Sequence, residues 1–318
     1  MAYNKQIEDE EITQLCGRIL EYKIGAYEEF HDALAGEMEG CRLNAALFGM
    51  TGSGKSALIN TIFRSLGITL EPAVTQSTGK EGTTILDSYV VPGTQFTLYD
   101  TRGFFELDKA EEGELFRILY GIERPGDNLT RDYTSTNKAE AAGAAACRLE
   151  KPPIADQMHV ILWVIKANDI RFQTGKYREI IKFVQYQLRK ATIKIITVIT
   201  FDDEIAKKPN ADEERERLKE AAIEVTGSDK KNGVFMIANS VRGQEYDSVY
   251  KKRVLEMLEQ AAKCGERSIR MRQTTRESPK KQTRHSDSDA GVKCPVENTE
   301  EPDYPGKKWW SLPPDFPH

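Results

Sequence analysis

Leu43-Asn44-Ala45-Ala46-Leu47-Phe48 runs directly into Gly49-Met50-Thr51-Gly52-Ser53-Gly54-Lys55-Ser56-Ala57, and that into Leu58-Ile59-Asn60-Thr61-Ile62-Phe63. The first stretch is short and apolar and reads as a buried strand. The last, continued to Leu66, puts Leu58, Ile59, Ile62, Phe63 and Leu66 on one helical face. The middle matches G-x-x-x-x-G-K-[ST] in full, at the strand-to-helix junction the motif requires. Glycines let the backbone bend around an anion so that several N–H groups point inward. The helix after the loop offers its positive end to phosphate. Gly49, Thr51, Gly52, Ser53, Gly54, Lys55, Ser56 and Ala57 are therefore candidate phosphate-binding residues. Lys55 is a compact cation for the outer phosphates, and the Ser56 hydroxyl is a hard oxygen suited to Mg2+. The motif implies a nucleoside triphosphate but neither its base nor its fate.

Outward from this stretch, strands alternate with helices. Ile85 to Val91 and Gln95 to Tyr99 read as strands joined at Pro92-Gly93, and Val160 to Ile165, Ile193 to Ile199 and Val234 to Ile237 as further strands. Tyr177, Ile180, Ile181, Val184 and Leu188 mark a helix. Asp212 to Val225 is a charged helix stopped by Gly227, and Val249, Val254, Leu258 and Ala261 mark the last one. Strands apolar nearly throughout imply a sheet covered on both faces, and the alternation implies parallel crossovers. The expected fold is a three-layer α/β domain with a mainly parallel sheet over 41–264. A helical segment precedes it within 1–40, where Ile12, Leu15, Ile19, Tyr22, Ala26, Phe30 and Leu34 recur at helical spacing from Gln6 to Ala35.

Gly121 to Pro153 is long for a connection, contains the run Ala139 to Ala146, and reads as an insertion. Residues 265–318 are polar with little apolar periodicity and read as a disordered tail. Trp309, Trp310, Leu312 and Phe316 near its end make it a candidate docking peptide for a protein partner, the equal alternative being that they pack back on the domain or have no role. The basic residues of the early tail, Arg267, Arg270, Arg272, Arg276, Lys280, Lys281 and Arg284, are the chain's candidate for peripheral contact with anionic lipid or for touching nucleic acid, although no nucleic-acid partner is expected. A solubilising tail is the simpler reading.

The 318 residues carry a formal net charge of −5 with 30% charged and 39% hydrophobic side chains. That balance is compatible with a packed core and excludes a globally basic nucleic-acid binder. The longest fully apolar run, Val160 to Ile165, falls far short of the roughly 20 residues that span a bilayer. The acidic, polar start is not expected to be a secretory signal. Five cysteines, none at a C-x-x-C spacing, fit a reduced, cytoplasmic setting better than a disulfide or zinc framework.

Four further motifs lie along the chain. Asp100-Thr101-Arg102-Gly103 closes an apolar strand in D-x-x-G form. Thr200-Phe201-Asp202-Asp203 closes another in a form close to [NT]-K-x-D. Ile237-Ala238-Asn239-Ser240 follows the last strand. Gly82-Thr83-Thr84 ends the polar loop Glu71 to Thr83. Over about Leu43 to Ser240 this order resembles a TRAFAC-class P-loop GTPase. The T-x-x-D form and the hydrophobic residue after Gly103 are similar to the septin-like, AIG1/Toc-type and interferon-inducible members.

The resemblance implies a G domain that binds GTP or GDP with Mg2+. Asp100, Ser56 and Thr84 would hold the metal, and the Gly103 N–H and Thr84 would sense the γ-phosphate. With Lys55 these form the catalytic set. Thr83 is a close rival to Thr84, and Thr75 and Thr78 stay open. Asp203 would accept two hydrogen bonds from guanine, a donor pair that adenine lacks. Phe201, in place of the usual lysine, would stack on the base. Ala238 and Asn239 would line it, and Thr200 completes the base-side set.

The glutamine that orients water in Ras-like members is replaced by Phe104. Three routes are open: another polar group such as Arg102, Glu106 or a switch-loop side chain; a second subunit completing the site across a G-domain homodimer; or negligible hydrolysis. The expectations are accordingly a slow, dimer-stimulated GTPase switch or a nucleotide-bound scaffold. An ATP-dependent P-loop enzyme is a third, disfavoured by Asp203.

Overall fold

A computed structural model describes residues 2–29, 38, 40–75, 85–104, 109–127, 152–190 and 192–277. Among these, six strands form one sheet: β1 (Leu43–Gly49), β2 (Asp87–Val90), β3 (Phe96–Asp100), β4 (Val160–Lys166), β5 (Lys194–Thr200) and β6 (Val234–Ile237). Their order is β2-β3-β1-β4-β5-β6. Only β2 runs antiparallel to its neighbour; the other pairings are parallel. The helices are α1 (Ala2–Glu21), α2 (Lys55–Ser65), α3 (Lys109–Leu119), α4 (Ile170–Gln173), α5 (Tyr177–Lys190), α6 (Asp202–Ala206), α7 (Ala211–Thr226) and α8 (Ser248–Glu277).

Every residue of β1 is buried, because helices cover both faces. Leu43, Ala45 and Leu47 pack with Leu58, Ile59, Ile62 and Phe63 of α2, Val254 and Leu258 of α8, and Ile12, Leu15 and Ile19 of α1. Ala46 and Phe48 pack with Leu115 and Ile118 of α3, Ile181 and Val184 of α5, and Leu218 and Ala222 of α7. Strand β1 lies between β3 and β4, so the crossovers diverge there and leave a crevice beyond its carboxyl end.

Two expected boundaries shift. The first helix does not run to Ala35; it ends at Glu21. The buried Glu266 carboxylate of α8 captures the next residues, 22–28. It accepts hydrogen bonds from the Tyr22 hydroxyl (2.7 Å) and from the N–H groups of Gly25 (2.9 Å), Tyr27 (2.9 Å) and Glu28 (2.8 Å). Those backbone donors are thereby satisfied without a helix.

The last helix passes the expected boundary at 264 and continues to Glu277. Gly265 sits inside it because a Cβ there would meet Leu43 Cδ1 at 2.6 Å; its absence lets α8 lie close on β1. Ile269 is fully buried, Arg270 pairs with Glu28 at 2.8 Å, and Arg272 donates to Gln157 Oε1 and Met158 O. Arg270 and Arg272, expected on a solvated tail, are thus packing residues. Among the described residues, α1 packs on α8 and belongs to the same compact unit as the sheet. Helix α3 is an addition to the elements expected from the sequence. Most of the expected insertion, the tail from 278 and its aromatic end lie outside the described residues.

His159, just ahead of β4, is fully buried. Its Nδ1 accepts the Asn44 N–H at 3.0 Å, and Nε2–H donates to Ile154 O at 2.9 Å, so the ring is neutral. Burial, with the Arg272 guanidinium adding to it, holds its pKa down to about 3. The folded value lies below the unfolded one, so its stabilising effect is complete above about pH 6.5 and fades as pH falls toward 3. Urea titrations should show a loss of about 2–3 kcal/mol between pH 7 and 4.5 from this group. His159→Asn should flatten that slope; an unchanged slope would show that the imidazole is solvated.

Candidate functional site: a phosphate loop with an acid and a base-side clasp

The loop Met50–Gly54 connects β1 to α2 at the crevice. Lys55 is buried, and its Nζ reaches back to the Gly49 and Met50 carbonyls at 3.3 and 3.5 Å. Burial lowers its pKa to about 8, with Asp100 opposing that shift. Asp100, at the end of β3, accepts a 2.5 Å hydrogen bond from Ser56 Oγ on Oδ2. Its Oδ1 is buried and makes no hydrogen bond, and neither does the buried Ser53 Oγ. Burial raises the Asp100 pKa despite Lys55 and Ser56. A carboxylate with an orphaned oxygen, a hydroxyl and a desolvated ammonium are high in energy without a ligand. Two hard oxygens suit a divalent cation, and the ammonium and loop amides suit a polyanion, so Ser56 and Asp100 fit the expected metal.

The D-x-x-G segment adheres to the phosphate loop. Phe104 N–H donates to Gly49 O at 3.1 Å, and Thr51 N–H donates to Phe104 O at 2.9 Å. The Thr51 hydroxyl donates to Gly103 O at 3.1 Å. A Cβ on Gly103 would lie 2.5 Å from Thr51 Cα, so only glycine permits this approach. Phe104 is buried and stacks between Phe48 and Trp163, with ring centroids 5.8 and 6.1 Å apart. The side chain in the water-orienting position is therefore part of the core.

Arg102, one of the polar groups expected to help with water, is buried and paired with Glu114 of α3 at 2.6 Å. The structure turns it away from that role. Glu106, Thr78, Thr83 and Thr84 lie outside the described residues. Thr75 is described and exposed.

On the base side, the Thr200 hydroxyl donates to Ser53 O at 2.7 Å and ties the end of β5 to the phosphate loop. Phe201 adopts the left-handed conformation (φ 64°, ψ 35°) and opens α6, with Lys166 Nζ 4.7 Å from its ring centre. The two aspartates then diverge. Asp202 is fully buried and held by Arg215 at 2.8 Å and Arg253 at 3.0 Å, whereas Asp203 is exposed. Of the pair, only Asp203 is free of the core to meet a base.

After β6, Ala238 is buried and its carbonyl accepts from the Tyr246 hydroxyl at 2.8 Å. Asn239, expected to line the base, directs its side chain to the Gly54 carbonyl at 3.2 Å and so braces the phosphate loop. Thr61, Arg64, Glu114, Lys166 and Tyr246 are absent from the residues that sequence reasoning selects.

Residues 44–201 match the model of the family described as 50S ribosome-binding GTPase. No curated protein sequence gives a match. Among solved structures, the chain is similar to a dimerization-deficient mutant of Toc33 from Arabidopsis thaliana (12% identity, TM-score 0.40, covering 80% of this chain and 92% of that one). It is also similar to an NFeoB mutant of S. thermophilus bound to GDP·AlF4− (15% identity, TM-score 0.34), with 70% of this chain and 64% of that one covered. The full phosphate-loop motif, the acid poised beneath it and the family match together establish that residues 44–201 carry a P-loop GTPase domain.

Proposed function

We propose that the chain binds GTP and GDP with Mg2+ and hydrolyses GTP slowly, at a rate that rises when two G domains associate. The observation that carries this reading is the Ser56–Asp100 pair, with its orphaned carboxylate oxygen beside a desolvated Lys55. When bound, the cation would be held by Ser56 and Asp100 and would neutralise charge on the outer phosphates. Lys55 supplies the second positive charge, and the loop amides orient the chain of phosphates. Phosphoryl transfer needs mostly such positioning and charge neutralisation, so these groups support a basal rate.

Association is invoked because Phe104 is in the core and Arg102 is paired with Glu114, which leaves neither to orient water. Turnover per chain measured against protein concentration tests the reading. A rate that climbs with concentration supports it. A concentration-independent rate near zero, with nucleotide bound, favours the second reading of a GTP- or GDP-loaded assembly scaffold. The same two residues motivate that alternative.

Guanine selection is assigned to Asp203. Asp203→Asn should weaken GDP binding roughly 10- to 100-fold, with ADP little changed, because a charge-assisted hydrogen bond is lost. Competition of unlabelled GDP and ADP against a fluorescent guanine nucleotide reads this directly. Undiminished preference for GDP would move base reading away from Asp203.

A further inference from the structure

We propose that Thr61 and Arg64, on the helix after the phosphate loop, are positioning residues for base recognition, holding the loop after β6 in register with the bound nucleotide. The inference rests on the guanine reading above. Thr61 is fully buried, and its Oγ1 accepts the Ser240 N–H at 2.9 Å while donating to Ala57 O at 2.8 Å. One turn on, the Arg64 guanidinium donates to Val241 O at 2.6 Å and also to Gln244 O. Those two carbonyls bound a turn that the Gln244 N–H closes onto Val241 O at 3.2 Å. Residue Asn239 is tied to Gly54 O, so the loop touches the same helix and phosphate loop at successive points.

The tethers matter because apolar packing does little to hold this loop. Residues 241–245 are all exposed, Val241 at 56%. A cleft of about 780 Å³, lined in part by Arg64, Glu71, Val74, Arg242 and Gly243, borders the turn. A segment with few buried contacts is placed by its hydrogen bonds and opens easily without them. Ala238, assigned to the base, and Asn239, tied to the phosphate loop, sit just ahead of this segment. Because α2 begins at Lys55, one rigid helix carries both the phosphate-binding lysine and the clamp on the base loop. Its length sets the distance between the two halves of the nucleotide site.

The test compares wild type with Arg64→Met, Arg64→Lys and Thr61→Val in displacement of a fluorescent guanine nucleotide. The competitors are GDP, IDP, ADP and inorganic tripolyphosphate. IDP lacks only the 2-amino group assigned to Asp203, whereas ADP also differs at position 6, the edge nearest the loop after β6. Arg64→Met and Thr61→Val should each cut the GDP-over-ADP preference about tenfold, the loss expected when one hydrogen bond to the base is misaligned. The GDP-over-IDP ratio and tripolyphosphate affinity should hold, and Arg64→Lys should recover part of the loss.

An unchanged GDP-over-ADP ratio in folded Arg64→Met overturns the proposal. So does a parallel fall in tripolyphosphate affinity, which would mark a damaged helix rather than a displaced loop. Arg64 is half-exposed, so its variants fold even should Thr61→Val not. Wild type that fails to prefer GDP over ADP would instead sink the guanine reading itself.

Discussion

Lys55→Met is expected to destroy tight triphosphate binding while making the nucleotide-free protein more stable. The ammonium is buried in the crevice with two carbonyls at 3.3 and 3.5 Å as its hydrogen-bond partners, and burial lowers its pKa to about 8. Loss of a charge-assisted contact to the outer phosphates should weaken GTP binding roughly 100-fold or more. Removal of a charge that folding desolvates should raise stability by about 1–3 kcal/mol at pH 7.

Protonation sets the sign of the pH dependence. Between about pH 8 and 10.5 the folded state holds fewer protons at Lys55 than the unfolded chain does, so wild-type stability rises with pH across that window. The variant should lack that rise. Urea melts of the nucleotide-free forms at pH 7 and 9.5, beside a GTP titration, measure both halves. A variant that binds GTP as wild type does would remove Lys55 from the site. A destabilised variant would mean that the lysine is well solvated or paired.

Glu114→Ala should destabilise the protein by about 3–5 kcal/mol, since it strands the Arg102 guanidinium in the interior. Both side chains are only 4% exposed, Arg102 Nε and Glu114 Oε1 lack partners, and burial raises the Glu114 pKa in spite of its ion pair. Desolvation therefore outweighs attraction at this carboxylate, and the pair as a whole contributes little net stability. The double variant Arg102→Leu/Glu114→Leu should accordingly recover most of the loss. Thermal melts of the single and double variants decide this. A mild single variant would show that water reaches Arg102. The pair joins α3 to the D-x-x-G segment, so Glu114→Ala should also loosen the phosphate-sensing end of the site. Faster GDP release would report that loosening.

Much of this architecture is legible in the residues. The strand Leu43–Gly49 is visible because both of its faces are covered and its apolar run is unbroken. The phosphate loop is visible because its glycines, lysine and serine act locally, through backbone geometry and the end of one helix. The motif singles out Asp203, and the fold adds that Asp202 is held by Arg215 and Arg253 while Asp203 is exposed.

Long-range partners are not legible. The first helix carries a helical pattern beyond Glu21, and nothing near Tyr22 in sequence announces the carboxylate of Glu266. The run after residue 264 looks like tail because it is charged. Yet Gly265 approaches Leu43, and Arg270 and Arg272 reach partners far along the chain. Helix α3 is hidden for a similar reason, since its burial depends on Phe104 and the far sheet face. Phe104 itself shows the limit. The sequence states that an aromatic ring replaces a water-orienting amide; only packing against Phe48 and Trp163 shows that the ring is core.

By itself, then, the sequence determined the class of fold, the phosphate loop and the order of motifs around it, because each rests on local periodicity or on a contiguous motif. The tertiary structure decided which carboxylate is poised and which is paired, where Arg102 points, how far the last helix extends, and what holds the loop after β6. Those outcomes come from burial and from hydrogen bonds between residues distant in the chain, and a linear pattern does not encode the partners that fix them.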